Sequence, residues 1–512
     1  MNSRKIFALS AAAALVGLNL APSAHAVIRS WNVGTGNWGS SGNWTPAGTP
    51  TSADVTFLNR LVGGQRGVVS VVGTGHAATS VSIRQLNQLD IANFSSLNVG
   101  GDILVGYGDS VGFLNVNSSQ PGIIFFNGNL TVGNTLRLGF ESSSGIVNQN
   151  DGTVTVNQLV RVGDRHATSV IFPGTGRYSL SGVGVLNAAR LEVGYGGDSS
   201  QFACEGEMNV SGNSTLNISL GAQIPDPKIG GNGGIGTLNQ TGGTINSPFR
   251  IISIGSNSGA GTFNHSGGTF SAVGVNIGNT GAINYTGGAN LDLGQVSTVN
   301  GQVKMGPGGG KTLRTRLLFT STGTWSIDVN DNQLVVGATL GEAITTSYLR
   351  GRNGGAWNGS GIRSSAAAND PQHATTIGMM SGADYHTLYG PGATFGGQTM
   401  TDTQTLFKYT FYGDTDFNGI VDFDDYSRID AGFNNNRTGW INGDFDFNGI
   451  VDFDDYSLID LAFNSQTGVL ATVPEPAALG ALIVCGMGIT GRQTRRSKSL
   501  AICRRLPQLS ST

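Results

Sequence analysis

The sequence predicts a mainly β protein: a solenoid of stacked strand-and-turn coils, then a small β linker, then a small α module. Three observations predict it. Gly supplies 81 of 512 residues while charged residues reach only 12%. Ordinary chains carry about 7% Gly and about 25% charge, so the composition favours turn-rich β structure over a helical bundle or coiled coil. Second, a short Gly-x-apolar-Asn or -Ser motif recurs through the middle of the chain at steps of 20 to 33 residues, and a second motif alternates with it. Third, an acidic twelve-residue segment occurs twice near the C-terminus, each copy followed by apolar residues at helical spacing.

In chain order, residues 1–26 read as a secretory signal. Arg4 and Lys5 precede the apolar stretch Ile6–Leu20, and Ala24-His25-Ala26 is a small-x-small cleavage site, placing the mature start near Val27. Residues 27–80 set Trp31, Trp38 and Trp44 among Gly, Asn and Ser. Such a cluster suits a carbohydrate platform or an apolar cap over the open end of a first coil, and the cap is the preferred reading.

Residues 81–300 hold the repeats. One motif is Gly-x-apolar-Asn, ending at Asn115, Asn148, Asn209, Asn239, Asn264 and Asn284, with Gly176-Arg-Tyr-Ser179 as a degenerate member. The other is apolar-x-apolar-Gly, ending at Gly139, Gly163, Gly194, Gly255 and Gly278. Each repeat therefore has at least two short strands. One coil cannot bury its apolar face, but stacked coils share a continuous core. Strand alternation places Arg161, Glu192, Ser253 and Asn276 toward solvent. The array resembles the right-handed parallel β-helix of autotransporter-type repeat proteins. A series of β-sandwiches is the alternative, and the short, unequal repeats argue against it.

Residues 301–411 read as a separate β linker. Trp325–Val329 and Gln333–Val336 are strand-like, and 354–365 is a Gly-rich loop without a phosphate-cradling motif. The stretch resembles a linker module that precedes calcium repeats in secreted planctomycete-type proteins.

Residues 412–465 carry the acidic duplicate. The copies start at Asp414 and Asp444 and differ only at Thr415 against Phe445. The spacing suits Ca²⁺, a hard cation that takes about 6–8 oxygens from loop positions 1, 3, 5, 7, 9 and 12. Those positions are Asp414, Asp416, Asn418, Ile420, Asp422 and Asp425, then Asp444, Asp446, Asn448, Ile450, Asp452 and Asp455. Gly419 and Gly449 stand at position 6, where the chain turns sharply. Val421 and Val451 stand at position 8, where they can pack one loop on the other. The stripes Tyr426, Ile429, Phe433 and Tyr456, Ile459, Phe463 follow. A loop with one exiting helix, given twice and with Asp at position 12, resembles the dockerin type I module. The resemblance implies a cohesin-like partner met through Phe423-Asp424, Phe453-Asp454 and the helices after them.

Residues 473–498 place Val473-Pro474-Glu475-Pro476 before the apolar run Ala477–Thr490 and then Arg492, Arg495, Arg496 and Lys498, ahead of a tail at 499–512. This order resembles the PEP-CTERM sorting signal. The resemblance implies passage through a membrane and processing by an exosortase-type enzyme. The run is short against the roughly 20 residues of a spanning helix.

A net charge of −3 supplies no bulk attraction to nucleic acid, and three cysteines exclude a disulfide framework. No catalytic constellation stands out. Asp164-Arg165-His166 and His265 read as turn residues. The chain thus reads as an exported bacterial surface or matrix protein, structural or adhesive, with an extracellular polysaccharide as one candidate partner. The alternative is a β-helix polysaccharide lyase or glycoside hydrolase that uses a dockerin for scaffold attachment.

Overall fold

The computed structural model describes residues 26–470, apart from segments at 60–66, 85–86, 93, 108–110, 117–127, 141–142, 165–173, 197–202, 220–224, 289, 299 and 321–323. The signal segment up to residue 25, the sorting segment 473–498 and the tail 499–512 lie outside the described residues, as do Arg165 and His166. No described helix is long and apolar enough to cross a membrane.

The protein is mainly β, as composition and turn spacing predict. Strands of successive repeats pair in parallel, each repeat on the next, in three columns. The first column begins with Ile28–Trp31 on Val55–Leu58 and runs through Thr135–Phe140 and Val185–Tyr195 to Thr339–Gly341. The second begins with Thr35–Asn37 on Val68–Val71 and ends with Ser326–Asp328 on Gly361–Arg363. The third includes His76–Ala78, Ser96–Val99, Asn129–Val132 and Thr215–Ile218. The repeat motifs mark only the first two columns; most third-column strands follow a glycine, as at Gly75, Gly128, Gly152, Gly184, Gly243 and Gly268, but carry neither motif. The parallel ladders also extend beyond 81–300 on both sides, from Ile28 to Arg363.

Register follows the motifs residue by residue. Asn209, Asn239, Asn264 and Asn284 stack in the second column, each of the last three donating its side-chain N–H to the side-chain oxygen of the Asn before it at 2.8–2.9 Å. Asn187, Asn217 and Asn246 form a like ladder in the third. The apolar residue before each second-column Asn or Ser, such as Val147, Tyr178, Met208, Leu238, Phe263 or Ile283, points into the shared core. The motif glycines meet where two columns touch. A Cβ on Gly206 would lie 2.0 Å from the Val162 carbonyl, and Gly194, with φ +66°, opposes it. Only residues without a side chain permit that approach.

Trp31, Trp38 and Trp44 are fully buried and meet edge to face at 5.0 and 5.1 Å. The Trp44 indole donates to the Trp38 carbonyl at 2.9 Å. Their ring faces are spent within the protein, so they seal the end of the stack and offer no platform to a sugar.

Burial departs from expectation at several repeat positions. His265 is buried, not a surface turn residue, as the residue after each second-column Asn points inward by strand alternation. It packs beside Phe263 and Tyr285, and its Nδ1 lies 3.0 Å from Gln240 Oε1. Burial pushes its pKa down to about 4. Asn276 is exposed as expected, but Ser253 and Glu192 are buried. Glu192 receives Arg161 at 2.6 Å and also pairs with Arg190. Asp164, expected at a solvated turn, is buried between Arg161 at 3.1 Å and Arg137 at 3.3 Å. Charges of opposite sign on adjacent coils satisfy one another there, so this wall is an ion-pair ladder.

Five α-helices are described: α1 (Ile344–Arg352), α2 (Ser365–Ala368), α3 (Gly382–Tyr389), α4 (Phe423–Asn434) and α5 (Phe453–Ser465). Near the end of the stack, Asn290–Asp292, Thr312–Thr315 and Gln333–Val336 pair in parallel. Thr405–Phe411 then joins antiparallel to Gln333–Val336, and Thr375–Ser381 joins beyond it, giving one five-stranded sheet. The acidic duplicate leaves directly from Thr405–Phe411.

Candidate metal centre

The acidic duplicate folds as two loop–helix units that grip each other. Gly413, before the first loop, lies against Ile459 of α5, and Gly443, before the second, lies against Ile429 of α4. Both glycines have positive φ, +96° and +100°. Tyr426 donates to Asp460 and Tyr456 to Asp430, each at 2.6 Å. Of the two apolar stripes, Ile429 and Ile459 are buried, whereas Phe433 and Phe463 remain partly exposed over the neighbouring helix's Tyr. Val421 and Val451 are both buried, yet the Val421 backbone is held by the Gln466 side chain, at 2.8 Å to its N–H and 2.7 Å to its carbonyl.

Within each loop the backbone is shaped by its own acidic side chains. Asp416 accepts the Asn418 N–H at 3.0 Å, and Asn418 accepts the Ile420 N–H at 2.9 Å. Asp446 and Asn448 make the same bonds at 2.9 and 2.8 Å. Asp422 and Asp452 cap α4 and α5, accepting the N–H of Asp424 and Asp454 at 2.9 Å. Asp425 and Asp455 complete each capping box by accepting the N–H of Asp422 and Asp452. Their other oxygen reaches back to position 2, accepting the Thr415 N–H at 2.9 Å and the Phe445 N–H at 2.7 Å. Asp at position 12 lies in the first helical turn, where its carboxylate reaches the start of the loop.

These bonds bring Asp414, Asp416 and Asp425 together, with one carboxylate oxygen of each within 4.8 Å of the others. Asp444, Asp446 and Asp455 converge in the same way. Asn418, Ile420, Asp422 and their counterparts line or cap the loops outside these carboxylate triads. Position 1 carries the sharpest feature. Asp414 and Asp444 are almost wholly buried, and in each the Oδ1 has no hydrogen-bond partner. An unpaired carboxylate oxygen held out of water costs several kcal/mol, roughly, unless it is protonated or meets a cation. Burial accordingly pushes Asp414 up to about 7 and both Asp425 and Asp455 up to about 6, and raises Asp444. The other carboxylates of each triad push in the same direction. The donor set is all oxygen, as a hard divalent cation requires.

Sequence reasoning overlooked the residues around the triads. Arg428 lies 3.4 Å from Asp416 and 3.9 Å from Asp425. Thr410 donates to Asp414, and Lys408 donates to the Phe417 carbonyl. Trp440 donates its indole N–H to the Asp414 carbonyl at 2.7 Å. Aligning the copies at their 30-residue offset exposes the signal: Lys408, Thr410, Thr415 and Arg428 face Thr438, Trp440, Phe445 and Leu458. No protein family, curated protein or solved structure matches this chain.

Proposed function

We propose that this is an exported bacterial surface or matrix protein in which a right-handed parallel β-solenoid carries a calcium-binding, dockerin-like loop–helix pair. Its work is structural or adhesive. The observation that carries the reading is the duplicated, converging carboxylate triad with an unpartnered, buried oxygen at position 1. In the first loop, Asp414, Asp416, Asn418, Asp425 and the Ile420 carbonyl would hold the ion. In the second, Asp444, Asp446, Asn448, Asp455 and the Ile450 carbonyl would do so. The ion supplies positive charge to carboxylates that otherwise repel one another out of water, so binding adds to folding stability. The parallel ladders, the Asn stacks and the buried Trp seal support the solenoid. The signal at the N-terminus and the Pro-Glu-Pro, apolar, Arg order at the C-terminus support export and sorting by an exosortase-type enzyme.

The test is thermal unfolding of the full chain with calcium and with chelator. Free Ca²⁺ at 100 times the dissociation constant adds about 2.7 kcal/mol per site. A melting temperature unmoved by calcium would overturn the metal reading. Release of unsaturated or reducing sugars from an extracellular polysaccharide would overturn the structural one in favour of a lyase or hydrolase.

A further inference from the structure

The two loops share their internal geometry but not their surroundings. The bonds from Asp416 and Asp446, from Asn418 and Asn448, and within the capping boxes agree to within 0.1 Å. Preorganisation of the loop backbone therefore does not separate the sites. Charge does. The first loop has Arg428 within ion-pairing range of two of its three carboxylates. Lys408 acts on the third, Asp414, while bonded to the loop's own Phe417 carbonyl. The first loop is also the more enclosed. The Tyr389 hydroxyl donates to the Asp416 carbonyl at 2.8 Å, and Asn418 and Ile420 are half-buried.

In the second loop, Trp440, Phe445 and Leu458 replace Thr410, Thr415 and Arg428. Among the described residues, no cation forms an ion pair with Asp444, Asp446 or Asp455. The described cation that acts on Asp446, Arg352, stands over the Tyr412 ring. Asn448 and Ile450 are exposed, so an arriving ion meets open loop backbone.

We infer that the two loops are unequal: the second takes the divalent cation first and more tightly, while the first is a weaker site, held in shape by Arg428 and Lys408 until an ion displaces the arginine. The inference rests on the calcium reading above. A unit positive charge about 4 Å from a carboxylate competes with the ion by more than about tenfold in affinity at the effective dielectric of a protein surface. The first loop thus carries a counter-charge of its own at calcium levels where it is empty, while the second relies on the ion to neutralise its carboxylates. One chain would then respond to calcium in two stages.

The experiment is a calorimetric titration of the chelator-stripped full chain with Ca²⁺ alone. Two steps are expected, separated by at least about tenfold. Asp446→Asn should remove the tighter step and Asp416→Asn the weaker. Arg428→Leu, which copies Leu458, should tighten the weak step by about tenfold, and Arg428→Gln guards against misfolding of the Leu variant. Arg428→Lys, which keeps the charge, should leave the weak step weak. Loss of the tight step in Asp416→Asn overturns the inference. So does a weak step unchanged in both neutral Arg428 variants, or two equal steps in the parent; these outcomes keep the calcium reading. Absence of any calcium heat overturns both.

Discussion

Asp414 and Asp444 show how one atom defines a site. Each has one oxygen satisfied within the protein and one left bare in a buried place. Without metal the raised carboxyls of Asp414, Asp425 and Asp455 favour the protonated form, against an ordinary Asp near 3.9. A carboxyl whose folded pKa is raised contributes stability that is complete below its unfolded pKa and is lost as pH rises through its folded pKa. Chelated protein is therefore expected to lose stability between about pH 4 and about pH 7. Saturating calcium should reverse that order, because the ion binds the ionised form. Scanning calorimetry at pH 5 and pH 7.5, with and without chelator, checks both signs. Asp425 and Asp455 have a second duty as capping-box residues. The double variant Asp425→Ala/Asp455→Ala should abolish the calcium-dependent rise in melting temperature. It should also destabilise the chelated state, because each substitution removes the carboxylate that accepts the Asp422 or Asp452 N–H while leaving the N-cap itself in place. An intact calcium response in that variant would remove position 12 from the ligand set.

At the scale of elements, the loop–helix units are interlocked. A Cβ on Gly413 would meet Ile459 at 2.4 Å, and one on Gly443 would meet Ile429 at 2.6 Å. Overpacking of this kind costs about 1–3 kcal/mol, and positive φ adds to it. Gly413→Ala and Gly443→Ala should each weaken both helices together, measured as one broadened loss of helical ellipticity on heating. Independent melting of one helix in either variant would contradict the interlock. In the repeats, the Gly and Asn motifs announce two columns of strands. The third column was harder to read, since strands such as Thr153–Val156 offer a preceding glycine and alternation without the Gly-and-Asn spacing of the second column. Strand alternation from Asn264 already implied an inward His265. Nothing local implied that Glu192 would be closed off from water between Arg190 of its own strand and Arg161 of the neighbouring coil.

Across the whole molecule, the acidic duplicate is packed against the end of the stack. Trp440 and Phe417 lie against Gly378 in the five-stranded sheet, where a Cβ would sit 2.4 Å from the Phe417 ring. Phe447 stacks on Trp440 and meets Tyr348 of α1 at 5.0 Å. Truncating a buried Trp costs about 3–5 kcal/mol, so Trp440→Ala should weaken calcium binding at both loops although it removes no carboxylate. Titration calorimetry of that variant checks the coupling, and unchanged affinities would refute it. For the same reason a fragment spanning only 401–470 lacks the strands Gln333–Val336 and Thr375–Ser381 that flank Thr405–Phe411. It is expected to remain unfolded in saturating calcium, judged by amide hydrogen exchange.

The sequence by itself determined what depends on short-range spacing: the repeat period, the glycines at crowded contacts, the Asn ladders, and the oxygen donors at fixed steps around a glycine turn. Those features are set within a dozen residues by backbone stereochemistry and strand alternation. Only the tertiary structure decided which charges leave water and which residues surround a carboxylate. Arg428 comes to the first triad because α4 folds back over its own loop. Lys408 comes because the strand that leads into the first loop is fixed between Gln333–Val336 and Thr375–Ser381, and Trp440 closes the space between copies 30 residues apart. Burial and electrostatic environment are sums over long-range neighbours, and a linear pattern holds no record of those neighbours until the chain has packed.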